Sequence, residues 1–373
     1  MADEGSPTTF TTDPTVVEAV ASGPIFMKIC FTIISVLGVT GNGLVLVVFY
    51  NDPELRFITN ILIGHQSLVD LISSFLLFLT FVVPGVSLET ICVGHPVLAS
   101  IICKIWASEF LYWAAVKVST LNLVFLTVTR YFAIVRPMYC RMRASKRGII
   151  NTCYVMWIVG TLTVIYFPVI HNVSDDGECT TRLERGSVWR YLIAFIALFS
   201  ILVMPLMVML YVYLSIVWKL RPAKTLALKR KRKTAVCSMT RSNGSYTVKI
   251  HFAPTARSAK ERNRRNVLTT LFIVCLTYTI CWTPDIILYF HHNVVIRHDW
   301  KEPFHQFAIL LAASNVCVNP LIYSFKYKNF QRGLKRLSLK CATYSSRTCA
   351  STIATAKRIS ESSAPSSRCS STM

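Results

Sequence analysis

Eight side chains stand out because they are polar or charged inside stretches that are otherwise apolar: Asn42, Asp70, Lys117, Ser119, Arg130, Asp285, Asn315 and Asn319. A charge at the centre of a membrane helix costs at least about 2.5–3.5 kcal/mol, so each charged residue among them needs a partner, an ion or a ligand. Asp70 is the hardest to dismiss, being a lone carboxylate with no base in its own stretch. Asn315 and Asn319 are four apart and share one helix face. Hydrogen bonding between helices accounts equally well for Asn42, Asn315 or Asn319 taken singly. There is no CxxC pair, no Cys/His cluster at zinc spacing and no nucleophile–base pair. Most of the 13 cysteines sit in apolar stretches, where a cysteine serves as a small buried hydrophobe. Neither a metal centre nor any other enzyme is expected.

The elements that position these residues are seven apolar stretches, at 25–50, 59–83, 102–134, 148–170, 190–218, 265–290 and 304–324. Each reaches the roughly 20 residues that a helix needs to cross a hydrocarbon core. With 53% of the 373 residues hydrophobic and 16% charged, no room remains for a sizeable soluble domain. The predicted fold is therefore an all-α membrane protein, a seven-transmembrane helix bundle over 25–324. Phe325, Phe330, Leu334 and Leu337 recur among Lys and Arg and predict a short amphipathic eighth helix over 325–340 on the inner leaflet.

Lys and Arg number 30 in the loops 51–58, 135–147, 219–264 and the tail from 325, against 4 in 1–24, 84–101, 171–189 and 291–303. That asymmetry places the N-terminus outside and the C-terminus in the cytoplasm. It also explains the net charge of +22 by orientation and attraction to anionic membrane lipid, not by nucleic acid. Residues 1–24 form an extracellular segment with four acids and no base, unlike a cleavable signal peptide, so the first span is expected to act as an uncleaved anchor. The basic third cytoplasmic loop, 219–264, is expected to be mobile, and the Ser/Thr-rich cytoplasmic tail, 341–373, disordered. A seven-helix transporter is the reading from another class, but it would call for an inverted repeat or a chain of acids, and neither is evident.

Several short signatures fall one to a helix. They are Gly41-Asn42; Asn60 with Leu68-Val69-Asp70; Thr129-Arg130-Tyr131 followed by Pro137; Trp157; Pro205 with Tyr213; Cys281-Trp282-Thr283-Pro284; Asn319-Pro320-Leu321-Ile322-Tyr323; and Phe330 beyond. In this order the set resembles the rhodopsin-like (class A) G-protein-coupled receptors over essentially the whole of 25–340. The resemblance implies a multi-pass plasma-membrane receptor that activates a heterotrimeric G protein by outward movement of the sixth helix, and is then handled by receptor kinases and arrestin.

It also implies roles. Asp70, Ser119, Asn315 and Asn319, near Trp282, would hold an allosteric sodium ion, the sole cofactor expected. Trp282 would sense the ligand at the cavity floor, and Pro284 and Pro320 would kink their helices. Arg130, flanked by Tyr131, would meet Tyr213, Tyr323 and the G protein. Cys103 and Cys179 align with the family's disulfide, although Cys103 lies two residues farther from the arginine than usual and Cys92 is a rival partner. Asn172-Val173-Ser174 is an outer glycosylation sequon, Cys341 is placed for palmitoylation, and Ser371-Thr372-Met373 could meet a PDZ domain. Two departures stand out. Thr129 replaces the usual acid, and Arg264 stands where a second acid is common, which predicts raised basal signalling. Thr120 and Tyr278 replace the usual apolar residues of the core switch.

For the ligand, Tyr112 stands where amine receptors carry an Asp, and Ala313 where opsins carry a Lys, which excludes both classes. Asp285, Tyr289 and His292 make one stripe on the sixth helix, and Glu109, Tyr112 and Val116 another on the third, with His305 at the top of the seventh. The outer segments carry 11 acids against 4 bases, which steers cations. With the resemblance of the third and seventh helices to neuropeptide receptors, the expected ligand is a basic or amidated peptide. The alternative is a lipid or small organic acid whose carboxylate meets Lys117.

Overall fold

The structure is a computed structural model, and it describes residues 25–52, 58–83, 95–138, 145–184, 186–229, 235–242, 245–252, 256–295, 303–326, 330–340 and 343. Among the described residues, seven helices are long and apolar enough to cross a membrane. They are α1 (Ile25–Asn51), α2 (Ile58–Phe81), α3 (Pro96–Val135), α4 (Lys146–Ile170), α5 (Val188–Lys219, running on to Lys229), α6 (Ala256–Val294) and α7 (Pro303–Lys326). A further helix, α8, covers 330–340. Segments 1–24 and 344–373, with Cys92, Cys341 and Ser371-Thr372-Met373, lie outside the described residues, as do the Arg264 side chain and the side chains of the basic run after Leu228.

The helices pack as a bundle, α1 against α2 and α7, α3 against α2, α4 and α5, and α6 against α5 and α7. The apolar residues divide by solvent. Ile33, Val36 and Leu37 of α1 are more than half exposed, while Phe31, Ser35, Gly38 and Asn42 turn inward. An outward apolar face of this extent is stable only against lipid. Small residues set the closest approaches. A Cβ added to Gly160 of α4 would lie 2.7 Å from Val118 Cγ2 and 3.1 Å from the Val118 backbone nitrogen of α3.

Two prolines leave carbonyls without a helical donor, and side chains from neighbouring helices supply one. Pro320 cannot donate to Val316 O, and Asn42 Nδ2 does so at 2.9 Å, tying α1 to α7. Pro205 cannot donate to Ile201 O, which accepts from Tyr278 Oη of α6. Pro205 follows a π-helical turn, Phe199–Val203. The same hydroxyl lies 3.3 Å from Thr120 Oγ1. Thr120 and Tyr278, the departures in the core switch, therefore form a hydrogen-bonded tether among α3, α5 and α6.

Three features go beyond the sequence reading. Regular structure enters 219–264: α5 continues to Lys229, the strands β3 (Ala235–Ser242) and β4 (Ser245–Phe252) form an antiparallel hairpin, and α6 begins at Ala256. Another hairpin, β1 (His171–Val173) with β2 (Cys179–Thr181), follows α4; its short strands give no readable alternation. In the amphipathic segment, Phe325 lies exposed at the end of α7, while α8 buries Phe330 among Val45, Val48, Leu62 and Tyr323. Leu334 and Leu337 pack on the same cluster, and Arg336 pairs with buried Asp52 at 3.2 Å.

Candidate functional site

The end of α3 nearest the β1–β2 hairpin is built unusually. After Pro96–Ile102 the chain makes a π-turn, Cys103–Ala107, and Glu109 then takes a left-handed backbone (φ 60°) before the helix resumes at Phe110. A non-glycine residue at positive φ stores strain, and such strain concentrates at functional sites. The irregularity also accommodates the displaced cysteine. Cys103 bonds Cys179 with Cα atoms 5.4 Å apart, clamping β2 over α3.

Beneath the hairpin lies a cavity of about 280 Å³. Glu109, Tyr112, Trp282, Asp285, Tyr289 and His292, six of the eight residues expected to bind ligand, line it. Val116 and His305 do not. Val116 is buried in the apolar core, because the face of α3 turned to the cavity runs Glu109, Trp113, Lys117 at four-residue steps. His305 is buried at the start of α7, away from the cavity wall.

The carboxylates define the chemistry. Glu109 accepts from Trp113 Nε1 at 3.0 Å. It lies close enough to Asp285 for the two charges to repel, with Tyr112 in the field of both. Among the described residues neither carboxylate makes an ion pair. Trp282 forms the floor, and its buried Nε1 has no acceptor among the described residues. Deeper still, Lys117 is 5% exposed and donates to Ser200 Oγ of α5, with no carboxylate in ion-pair range among the described residues.

Sequence reading missed the wall contributed by α4, the hairpin and the start of α5. Phe167 stacks on Trp113 and on His171. Burial holds the His171 imidazole below its ordinary pKa, against the opposing pull of Phe167 O at 2.8 Å. Arg190 Nε donates to Asn293 Oδ1 at 2.9 Å, joining α5 to α6 beside Tyr289. The available signal was Arg190 itself, a base at the mouth of an apolar stretch. Asn172 lies on β1 facing Arg182.

Midway through the bundle, Asp70 meets two of the three partners expected of it. Ser119 Oγ donates to its Oδ1 at 2.7 Å and Asn319 Nδ2 to its Oδ2 at 2.7 Å. Asn315 is buried but makes no hydrogen bond to Asp70. An unexpected residue, Gln66, does, through Nε2 at 2.9 and 3.0 Å from the two carboxylate oxygens. At the far end Arg130 is half-buried and, among the described residues, makes no ion pair. Thr129 Oγ1 donates back to Leu126 O at 2.8 Å. Tyr131 lies against Tyr211, Tyr213 leans on Phe272 of α6, and Tyr323 is buried beside Phe330. Pro284 and Pro320 lie within α6 and α7 as expected.

Comparison with known proteins agrees with the seven-helix architecture. The sequence profile of the family "7 transmembrane receptor (rhodopsin family)" matches residues 41–323. Similar proteins include the neuropeptide Y receptor type 6 of Mus musculus, 27% identical over 85% of this chain and 81% of the relative. The cholecystokinin receptor type A of Cavia porcellus is 25% identical over 83% of this chain and 80% of the relative. The RYamide receptor of Drosophila melanogaster is 24% identical over 84% and 63% respectively. The chain belongs to the rhodopsin family of seven-transmembrane receptors, and is a signalling receptor and not an enzyme.

Proposed function

We propose that this receptor sits in the plasma membrane with its N-terminus outside, and binds an extracellular peptide that presents a cationic group to Glu109 and Asp285. One observation carries the reading: the buried Asp285 and the part-buried Glu109, neither in an ion pair among the described residues, face one open cavity above Trp282. A cation between them relieves their repulsion and satisfies both, so its binding is favoured over a neutral group of the same shape. The relatives, named for neuropeptide Y, cholecystokinin and RYamide, support a peptide.

Bound ligand would press on Trp282, one turn from the Tyr278 tether, and bias α6 outward. Arg130 would then receive a heterotrimeric G protein. Receptor kinases and arrestin would act on the Ser/Thr-rich tail, and a PDZ domain would meet its end. Glycosylation at Asn172 and palmitoylation at Cys341 belong to the same reading.

The test is second-messenger output in cells exposed to a library of basic and amidated peptides. Asp285→Asn and Glu109→Gln should each weaken the response at unchanged surface expression. A potent peptide whose action neither substitution alters would refute the cationic contact. A second reading rests on Lys117. Its ammonium, held by one hydroxyl, suits a carboxylate that reaches the cavity floor, as on a lipid or small organic acid. Under that reading Lys117→Met abolishes the response and Asp285→Asn does not.

A further inference from the structure

The family resemblance leads one to expect sodium beside Asp70, and the residues present do not fit that ion. A hard cation needs oxygen lone pairs turned toward it. A carboxylate offers about four such positions. All four are taken by donors: Oδ1 accepts from Gln66 Nε2 at 2.9 Å and Ser119 Oγ at 2.7 Å, and Oδ2 from Gln66 Nε2 at 3.0 Å and Asn319 Nδ2 at 2.7 Å. The Gln66 amide nitrogen also lies 2.6 Å from Ser119 Oγ, in the angle between the carboxylate and the hydroxyl. The positive end of an amide dipole thus stands where the ion would stand.

Gln66 is not free to turn its oxygen inward. Its Oε1 accepts from Asn122 Nδ2 at 2.6 Å, and Asn122 also donates to Leu62 O at 3.0 Å. Asn122 Oδ1 faces His65 Nδ1 at 3.1 Å. Reversing the Gln66 amide would set oxygen against three oxygens and nitrogen against a donor, so its surroundings settle which end faces Asp70. Gln66, Asp70, Asn122 and Ser119 are all buried, and Gln66 and Asp70 share one face of α2 at four-residue spacing. A filled network of this kind gains from the low dielectric around it, whereas half of it would be costly.

We propose that Gln66 is the built-in counter-group of Asp70, replacing a dissociable cation with an amide anchored through Asn122. The receptor's conformational equilibrium is consequently indifferent to sodium. An ion shifts such an equilibrium only by binding one state better than the other, and here it finds no coordination site.

The experiment is thermal unfolding of the full-length receptor, purified in detergent, titrated with sodium chloride and with potassium chloride at matched ionic strength. Wild type is expected to give coincident curves. A sodium-specific rise in melting temperature that disappears in Asp70→Asn would overturn the proposal. Gln66→Leu opens the carboxylate and should create a sodium-specific rise that adding Asp70→Asn removes. A Gln66→Leu receptor that reaches the cell surface and remains indifferent to sodium would also overturn the assignment to Gln66. Should Gln66→Leu fail to fold, the wild-type titration still decides.

Discussion

Replacing Lys117 with methionine separates a lysine kept for ligand from one kept for stability. A charge at the centre of a membrane helix costs about 2.5–3.5 kcal/mol. A hydrogen bond from a charged donor returns about 1.5–3 kcal/mol, and Ser200 accepts one from Lys117. The cavity adds some hydration, because Lys117 lines it. The balance is a residual cost of about 1 kcal/mol or less. Methionine keeps an unbranched stem of similar length and strands no partner, since the Ser200 hydroxyl still donates to Ile196 O at 2.6 Å. Lys117→Met should therefore leave stability unchanged or raise it by up to about 1 kcal/mol, a gain of about 2 °C in a protein of this size. The assay is thermal unfolding in detergent, read with a thiol-reactive dye at the buried Cys153 and Cys281. A fall of several degrees would refute the reasoning. It would show that Lys117 holds α3 to α5, since breaking a structural buried pair costs about 3–5 kcal/mol.

Two further outcomes follow from local geometry. Gly160→Ala forces a methyl onto the backbone of α3, which no rotamer change relieves, and should destabilise by about 1–3 kcal/mol. Gly64→Ala meets nothing within 4 Å and should instead gain up to about 1 kcal/mol of helix propensity, so equal melting temperatures for the two variants would contradict the packing described. Thr129→Asp gives Arg130 an acid beside it. An ion pair worth about 1 kcal/mol lowers ligand-free signalling roughly fivefold, and unchanged output in cells would show that Arg130 is restrained by other means.

Much of this site was legible because membrane insertion makes polar residues expensive and hence informative. Asp70, Ser119, Asn319 and Asp285 were singled out on that ground; the family resemblance grouped the first three, and the third-helix stripe added Glu109. Gln66 was not, because an uncharged amide inside a mostly apolar stretch looks tolerable, and its value depends on meeting Asn122 across two helices. Val116 was included in the stripe, and Lys117 left out of it, because the stripe was counted on an unbroken helix. The left-handed Glu109 and the π-turn before it change which residues face the cavity, and neither has a sequence mark as plain as a glycine or proline.

The prolines, by contrast, could have been read arithmetically. Each one orphans the carbonyl four residues earlier, and a buried carbonyl must find a donor. Counting back from Pro320 and Pro205 reaches Val316 and Ile201, the two carbonyls that Asn42 and Tyr278 satisfy. Counting back from Pro284 reaches Ile280, to which no side chain donates among the described residues. The proline turn of α7 is therefore fastened to α1, whereas among the described residues no side chain fastens that of α6. What restrains α6 near it is the Tyr278 hydroxyl, which donates to Ile201 O of α5 and lies 3.3 Å from Thr120 Oγ1 of α3. Its donation to Ile201 serves the α5 proline as well, so swinging α6 outward strands that carbonyl besides breaking the bond. Losing such a bond costs about 0.5–1.5 kcal/mol, and a buried acceptor left without a donor about 1–3 kcal/mol. That is the range in which differential binding of a ligand decides between two states. Under the proposed outward movement, Tyr278, which looked like a departure from the family's switch, would thus set how hard α6 is to move.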